Sequence, residues 1–167
     1  QYRFTARRSP QEAKRLASSA DVADRCRVAG HDSAKPEFLY LLASDAESSV
    51  RAAVAANEAT PVQADLLLAR DSDASVREDL AHKIARLAPG LTSTEQDRVR
   101  RATYEVLEIL VQDQISTVRE ILAEALKDRA DAPAEIVRHL ARDTEIRVAG
   151  PVLEHSPLPC RLLTMTW

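Results

Sequence analysis

The sequence predicts an all-α protein, a right-handed α-solenoid of about five helix pairs running from roughly residue 10 to 155. Three observations predict it. Three glycines and 4 % aromatic residues in 167 stand beside abundant Ala, Leu, Arg, Glu and Asp, a mixture that suits helices and starves strands. A short pattern recurs: Asp45 precedes Val50-Arg51, Asp71 precedes Val76-Arg77 and Asp113 precedes Val118-Arg119, each with the same five-residue step from Asp to Val. Helix-start signals flank each copy. One helix pair cannot bury its apolar face alone, whereas stacked neighbours can.

The elements follow in chain order. A first pair is read from the weaker copy in which Asp21 precedes Cys26-Arg27. Cys26 then takes the Val place of its unit and is expected to be small, buried and inert. Pro36 opens the next first helix, and Asp45 lies in the turn before a second helix near Ser49. Val50, Ala53, Val54 and Asn57 mark that helix's inner face. Thr60-Pro61-Val62-Gln63 offers an N-cap hydroxyl, a proline at the first helical position and a glutamine at the third. Ser75-x-x-Glu78 and Thr117-x-x-Glu120 fit the capping box. Between them Ala88-Pro89-Gly90-Leu91 stops a helix and Thr92-x-x-Glu95 starts a long one, with Val99, Ala102, Val106, Ile109 and Leu110 on its apolar side. Val118, Ile121, Leu122, Ala125 and Leu126 continue the helical rule. Pro133 opens a last pair that carries Asp143 ahead of Ile146-Arg147. A bundle would not require Asp and Arg to recur at every step, so the stack is preferred.

The Asp/Val-Arg pattern resembles HEAT-like repeats. The resemblance implies an inter-repeat hydrogen-bond ladder made by Asp45, Arg51, Asp71, Arg77, Asp113 and Arg119. The units are shorter than the roughly 40–47 residues of that class and approach the leucine-rich-repeat variant in length, without its cysteine cluster. A closer resemblance covers about residues 10–158. Gln63–Asp71, Lys83–Leu91, Ile121–Asp128, Gly150–Glu154 and Ser156–Leu158 are similar to an uncharacterised bacterial domain-of-unknown-function family with HEAT-like repeats. That family implies no transferable activity. Residues 1–155 are accordingly expected to form the repeat domain. Residues 156–167 form an irregular tail that departs from the family pattern from Pro159 onward, as a truncated or altered end would.

Other features set function classes against one another. Net charge is −3, which gives no electrostatic case for nucleic acid or anionic lipid. Residues 1–35 carry eight Lys/Arg against four Asp/Glu, and residues 36–75 carry two against seven; the acidic middle favours a basic partner. Cys26 and Cys160 form no CxxC and fit a reducing, cytoplasmic setting. Gln1–Arg8 has no apolar signal-peptide core, and no stretch reaches the length of a membrane span. His31, His82, His139 and His155 form no metal-ligand spacing; His31 and His155 are placed at helix ends. No Gly-rich phosphate loop and no G-x-S-x-G is present.

The recurrent Arg27, Arg51, Arg77, Arg119 and Arg147 fit either a phosphate stripe or the ladder, and recurring buried polar groups favour the ladder, with Arg147 outside it. Arg98, Arg100 and Arg101 read as a solvated face, and Arg3, Arg7 and Arg8 as a frayed terminus. The expected function is a non-enzymatic protein- or peptide-binding scaffold without cofactor or metal. The alternatives are a HEAT-like nucleic-acid-processing protein or enzyme of DNA glycosylase type, or the positioning module of a longer protein. Against the first, aromatics for base stacking are scarce and no His-Glu dipeptide is available for an iron site. An uncapped last pair is expected to self-associate or to be unstable.

Overall fold

A computed structural model describes residues 10–94 and 96–159. Among them are ten α-helices and no strand: α1 (Pro10–Ala17), α2 (Val22–Ala29), α3 (Pro36–Leu42), α4 (Ser48–Ala56), α5 (Val62–Leu68), α6 (Ala74–Leu87), α7 (Arg98–Leu110), α8 (Ser116–Leu126), α9 (Ala134–Ala141) and α10 (Ile146–His155). They form five pairs. Within the first row α1 packs on α3, α3 on α5 and α5 on α7; within the second row α2 packs on α4, α4 on α6, α6 on α8 and α8 on α10. The basic arm at Arg3, Arg7 and Arg8 and the tail residues Cys160 to Trp167 lie outside the described residues.

The second helices carry the core in register. Val50, Val76, Val118 and Val148 are each wholly buried, one per unit. One turn on, Val54, Leu80, Leu122 and Val152 form a second buried column, and Ala29, Ala55, Ala81 and Ala123 a third. An alanine methyl at such a buried position leaves room for a packed helix to approach closely. Its last member is Leu153, which is half exposed.

The helix starts differ from the capping boxes expected at Ser75 and Thr117. Helix α6 is capped by Asp73, whose carboxylate accepts from the Ser75 amide at 2.9 Å and from the Ser75 hydroxyl at 2.8 Å. Helix α8 follows Ile115 with no side-chain cap, and the Thr117 hydroxyl donates instead to Glu78 of α6 at 2.6 Å. Pro61, not Thr60, precedes α5, and the buried Thr60 hydroxyl donates to the Val54 carbonyl at 2.7 Å. Asp97, not Thr92, caps α7 through the Arg100 amide. At Ser75, Thr60 and Thr117 a nearer carboxylate or a neighbouring helix takes the hydroxyl the local motif would have used.

The segment joining α6 to α7 lengthens the third unit. Gly90 stands at φ +76°, a backbone conformation that suits glycine, and ends α6 as read from sequence. Its amide donates to the Asp131 carbonyl at 2.7 Å, and its carbonyl accepts from Arg100 at 2.8 Å. The buried face of α7 is Thr103, Tyr104, Val106, Leu107 and Leu110, rotated from the expected stripe, and Val99 is exposed. Tyr104 explains the rotation: its hydroxyl donates to Glu135 of α9 at 2.8 Å while its ring fills the core. On α8 the same stripe rule errs at Ala125, which is exposed.

Candidate functional site

The recurring charges meet as four rungs across the turns between paired helices. Arg25 grips Asp45, Arg51 grips Asp71, Arg77 grips Asp113 and Arg119 grips Asp143, in each case through Nε and Nη2 to the two carboxylate oxygens, with Nε distances of 2.5–2.7 Å. Two parallel bonds from one guanidinium plane fix orientation as well as distance. The third nitrogen of each arginine turns back to its own unit, from Arg51 to the Asp45 carbonyl, Arg77 to the Asp71 carbonyl and Arg119 to the Asp113 carbonyl. Each Asp also accepts the backbone amide two residues on: Glu47, Asp73, Ile115 and Glu145, all at 2.9 Å. One carboxylate therefore shapes its own turn and receives the preceding unit's arginine.

The first unit corrects the sequence reading, and the last adds a rung to it. Arg25, not Arg27, makes the first rung, and the Ser19 carbonyl takes the place of the Asp carbonyl. Arg27 is exposed and pairs with Asp24, while Asp21 caps α2 through the Ala23 amide. Cys26 therefore stands one place past the arginine rather than in the Val place; it is half-buried, with Sγ 3.8 Å from the Ser49 hydroxyl. Asp143 accepts the fourth rung. Arg147 is exposed and stands outside the ladder.

The hydrogen bond from Arg25 leads the forces that hold the Asp45 carboxyl below its ordinary range. For Asp143, burial pushes upward, but the Arg119 hydrogen bond, the Glu145 amide and the Arg119 charge prevail and the carboxyl is lowered. All four arginines are pushed further up, first by the hydrogen bond to the Asp. Their side chains are 13–14 % exposed and those of the Asp partners 7–9 %. Water is largely excluded, and the groups are committed to one another.

A second polar row, not anticipated from sequence, runs along the opposite ends of the second helices. Asn57 donates to the Ala29 and His31 carbonyls at 2.7 and 3.0 Å. Lys83 holds the equivalent place one unit later and donates to the Asn57 carbonyl at 3.2 Å. Lys83 is 2 % exposed and pairs with the buried Asp65 at 2.6 Å. Burial raises the Asp65 carboxyl and lowers the Lys83 ammonium; desolvation outweighs their attraction, as is common for buried pairs. The available signal was a charge on an apolar helical stripe: Lys83 falls among Val76, Leu80 and Ile84.

Two of the accessible surfaces bear on function. The partly exposed positions of the second helices change character along the row, from Cys26, Ala52 and Ala53, half-buried against the core, and the exposed Ala56 on α2 and α4 to Glu78, Asp79, Glu120 and Glu124 on α6 and α8. Arg86 and Lys127 lie nearby but are engaged, with Glu58 and Glu124 respectively. Burial, with Glu78 adding to it, raises the Asp79 carboxyl. The other surface is an open groove of about 640 Å³ beside the fourth rung, between the end of α7 and α9.

The histidines do not gather, and no group of three or more His, Cys, Asp or Glu among the described residues could hold a metal ion. His31 stands just after α2 with its Nδ1 accepting from the Ser33 amide at 3.1 Å, and His155 ends α10 beside Glu154. No helix among the described residues is long and apolar enough to cross a membrane. Comparison with protein-family models and with curated proteins gives no match.

Proposed function

We propose that this chain is a right-handed, HEAT-like α-solenoid acting as a non-enzymatic protein- or peptide-binding scaffold. The observation that carries the reading is the pairing of the two features above: rungs that consume the recurring charges in linking successive pairs, and a continuous row of second helices whose outward side chains make no such commitment. In a superhelix of helix pairs that row is the concave wall, the surface on which stacked repeats take extended partners. The carboxylates at Glu78, which accepts only the neutral Thr117 hydroxyl, and at Asp79 and Glu120 suit a partner segment rich in Lys or Arg.

The test is capture from native cells by the full chain beside its E78K/E120K variant. The expected result is a partner retained by the parent chain and lost from a variant that melts at the same temperature. A folded parent chain that enriches no protein, at low or moderate salt, overturns the scaffold reading. Small-angle scattering checks the architecture independently: a curved, elongated particle is expected, and a compact four-square bundle contradicts the solenoid.

A further inference from the structure

We propose that a second copy of this chain docks on the exposed face of α10, the two α10 helices packing antiparallel about Gly150. Aligned on the valine column, α10 departs from α4, α6 and α8. Ile146 stands where they carry Ser48, Ala74 and Ser116, and Leu153 where they carry Ala55, Ala81 and Ala123. Two small positions have become large and apolar, yet Ile146 is 76 % exposed and Leu153 half exposed. A stack closed for solvent does the reverse and ends on a polar face. Ala149 meanwhile replaces the arginine that grips the next unit's Asp, so the face is not built for one more unit of the same repeat. An apolar surface of another kind is its fit.

Charge and shape then select the occupant. Ile146, Gly150 and Leu153 fall at i, i+4 and i+7, one stripe of the helix, and Arg147 and Glu154 run along one edge of it. Val148, Ala149 and Val152 are buried on the other side. Arg147 is exposed and makes no ion pair among the described residues. Glu154 is exposed beside His155, at 3.8 Å, too far for a hydrogen bond. A two-fold axis beside Gly150 reverses the helix and returns each edge onto itself. Ile146 and Leu153 then meet Leu153 and Ile146 of the second copy, and Arg147 meets Glu154 of the second copy, twice. The stripe is complementary to itself in both apolar and charged residues. Gly150 fits the same reading. Glycine inside a helix costs about 1 kcal/mol against alanine, and a Cβ there would meet nothing in its own chain nearer than Ile146 Cδ1 at 4.0 Å. Close approach of a second backbone at the crossing point accounts for it. This contact lies apart from the acidic positions of α6 and α8 and does not depend on the scaffold reading.

One helix on one helix is a small interface, so the dimer is weak, with Kd on the order of 10–100 µM, and the chain is a monomer in dilute solution. The experiment is sedimentation velocity of the full chain at concentrations spanning that range. The expected result is a reversible monomer–dimer equilibrium that I146S/L153S abolishes. R147E and E154R, which each set like charges against one another twice, should weaken it about tenfold or more. The double variant R147E/E154R restores opposite charges across the two-fold axis and should return to within about threefold of the parent. Thermal melts in dilute solution, where all are monomers, should match the parent, and if I146S/L153S folds poorly the charge series still decides. A chain that stays monomeric throughout, as it would if residues 160–167 or another protein covered the face, overturns the proposal. So do assembly beyond the dimer, dimerisation of R147E at the parent's strength, and a double variant no better than its single ones.

Discussion

At the scale of the residue, the ladder aspartates do two jobs that no other side chain could combine. A carboxylate accepts an amide two residues away and still presents both oxygens to a guanidinium, which asparagine would meet with one acceptor and one donor group. Arg51→Gln would leave the Asp71 carboxylate without its fork and the Asp45 carbonyl without a donor. It is expected to cost about 2–4 kcal/mol in urea unfolding, since breaking a largely buried charged pair strands the partner. The lowered Asp45 and Asp143 carboxyls give the linked pH dependence. Their folded forms hold protons less tightly than the unfolded chain, so the stability they contribute is present above the ordinary carboxylate value near 3.8 and is lost as pH falls through the lower folded values. Acid melts from pH 5 to 2 should show that loss, and Asp45→Asn should flatten part of it.

The buried Asp65–Lys83 pair is the opposite case. Each partner is pushed toward its neutral form by burial, so the pair is expensive to keep and more expensive to break. Lys83→Met alone should destabilise by about 3–5 kcal/mol, whereas Asp65→Leu with Lys83→Met should be neutral or stabilising. A double-mutant cycle read by denaturant midpoint decides it; additive single effects would contradict the account.

At the scale of the element, the alanine column is buried in every second helix that has a successor, and a methyl there leaves room for close helix packing. Ala81 of α6 is wholly buried, and Ala81→Leu is expected to cost about 1–3 kcal/mol through overpacking. Leu153 occupies the same column in α10 but is half exposed, and Leu153→Ala should change stability by no more than about 0.5 kcal/mol, as is usual for surface substitutions. Thermal melts of the two variants check this contrast. Elements were legible in sequence where a residue's role is local. Gly90 at positive φ and the prolines at the first helices are of that kind. The capping boxes were misread because their hydroxyls have better partners elsewhere, Ser75 with Asp73 and Thr117 with Glu78 across to α6. A motif search anchored on Asp likewise misplaced the first rung, because Ser19 stands where later units have Asp and the arginine had to be recognised as Arg25.

At the scale of the whole molecule, the ladder runs unbroken from Arg25 to Asp143 among the described residues. Ser19 offers no carboxylate to a preceding arginine, and Ala149 stands where α10 would need one to continue. Four rungs thus tie five pairs, and each pair leans chiefly on its neighbours. Amide exchange should accordingly be slowest in α4, α6 and α8 and fastest in α1 and α10, with α10 opening first at Leu153. Uniform protection from α1 to α10 would contradict neighbour-by-neighbour stability. What the sequence by itself determined is the all-helical class and the recurrence of Asp and Arg at a fixed step in the middle units, because a repeated requirement leaves a repeated residue. What the tertiary structure decided is which partner each charge takes, the buried Asp65–Lys83 pair, the rotation of α7 about Tyr104 and the groove beside α9. Those depend on distances between residues remote in the chain, and desolvation makes one close partner far better than any local alternative.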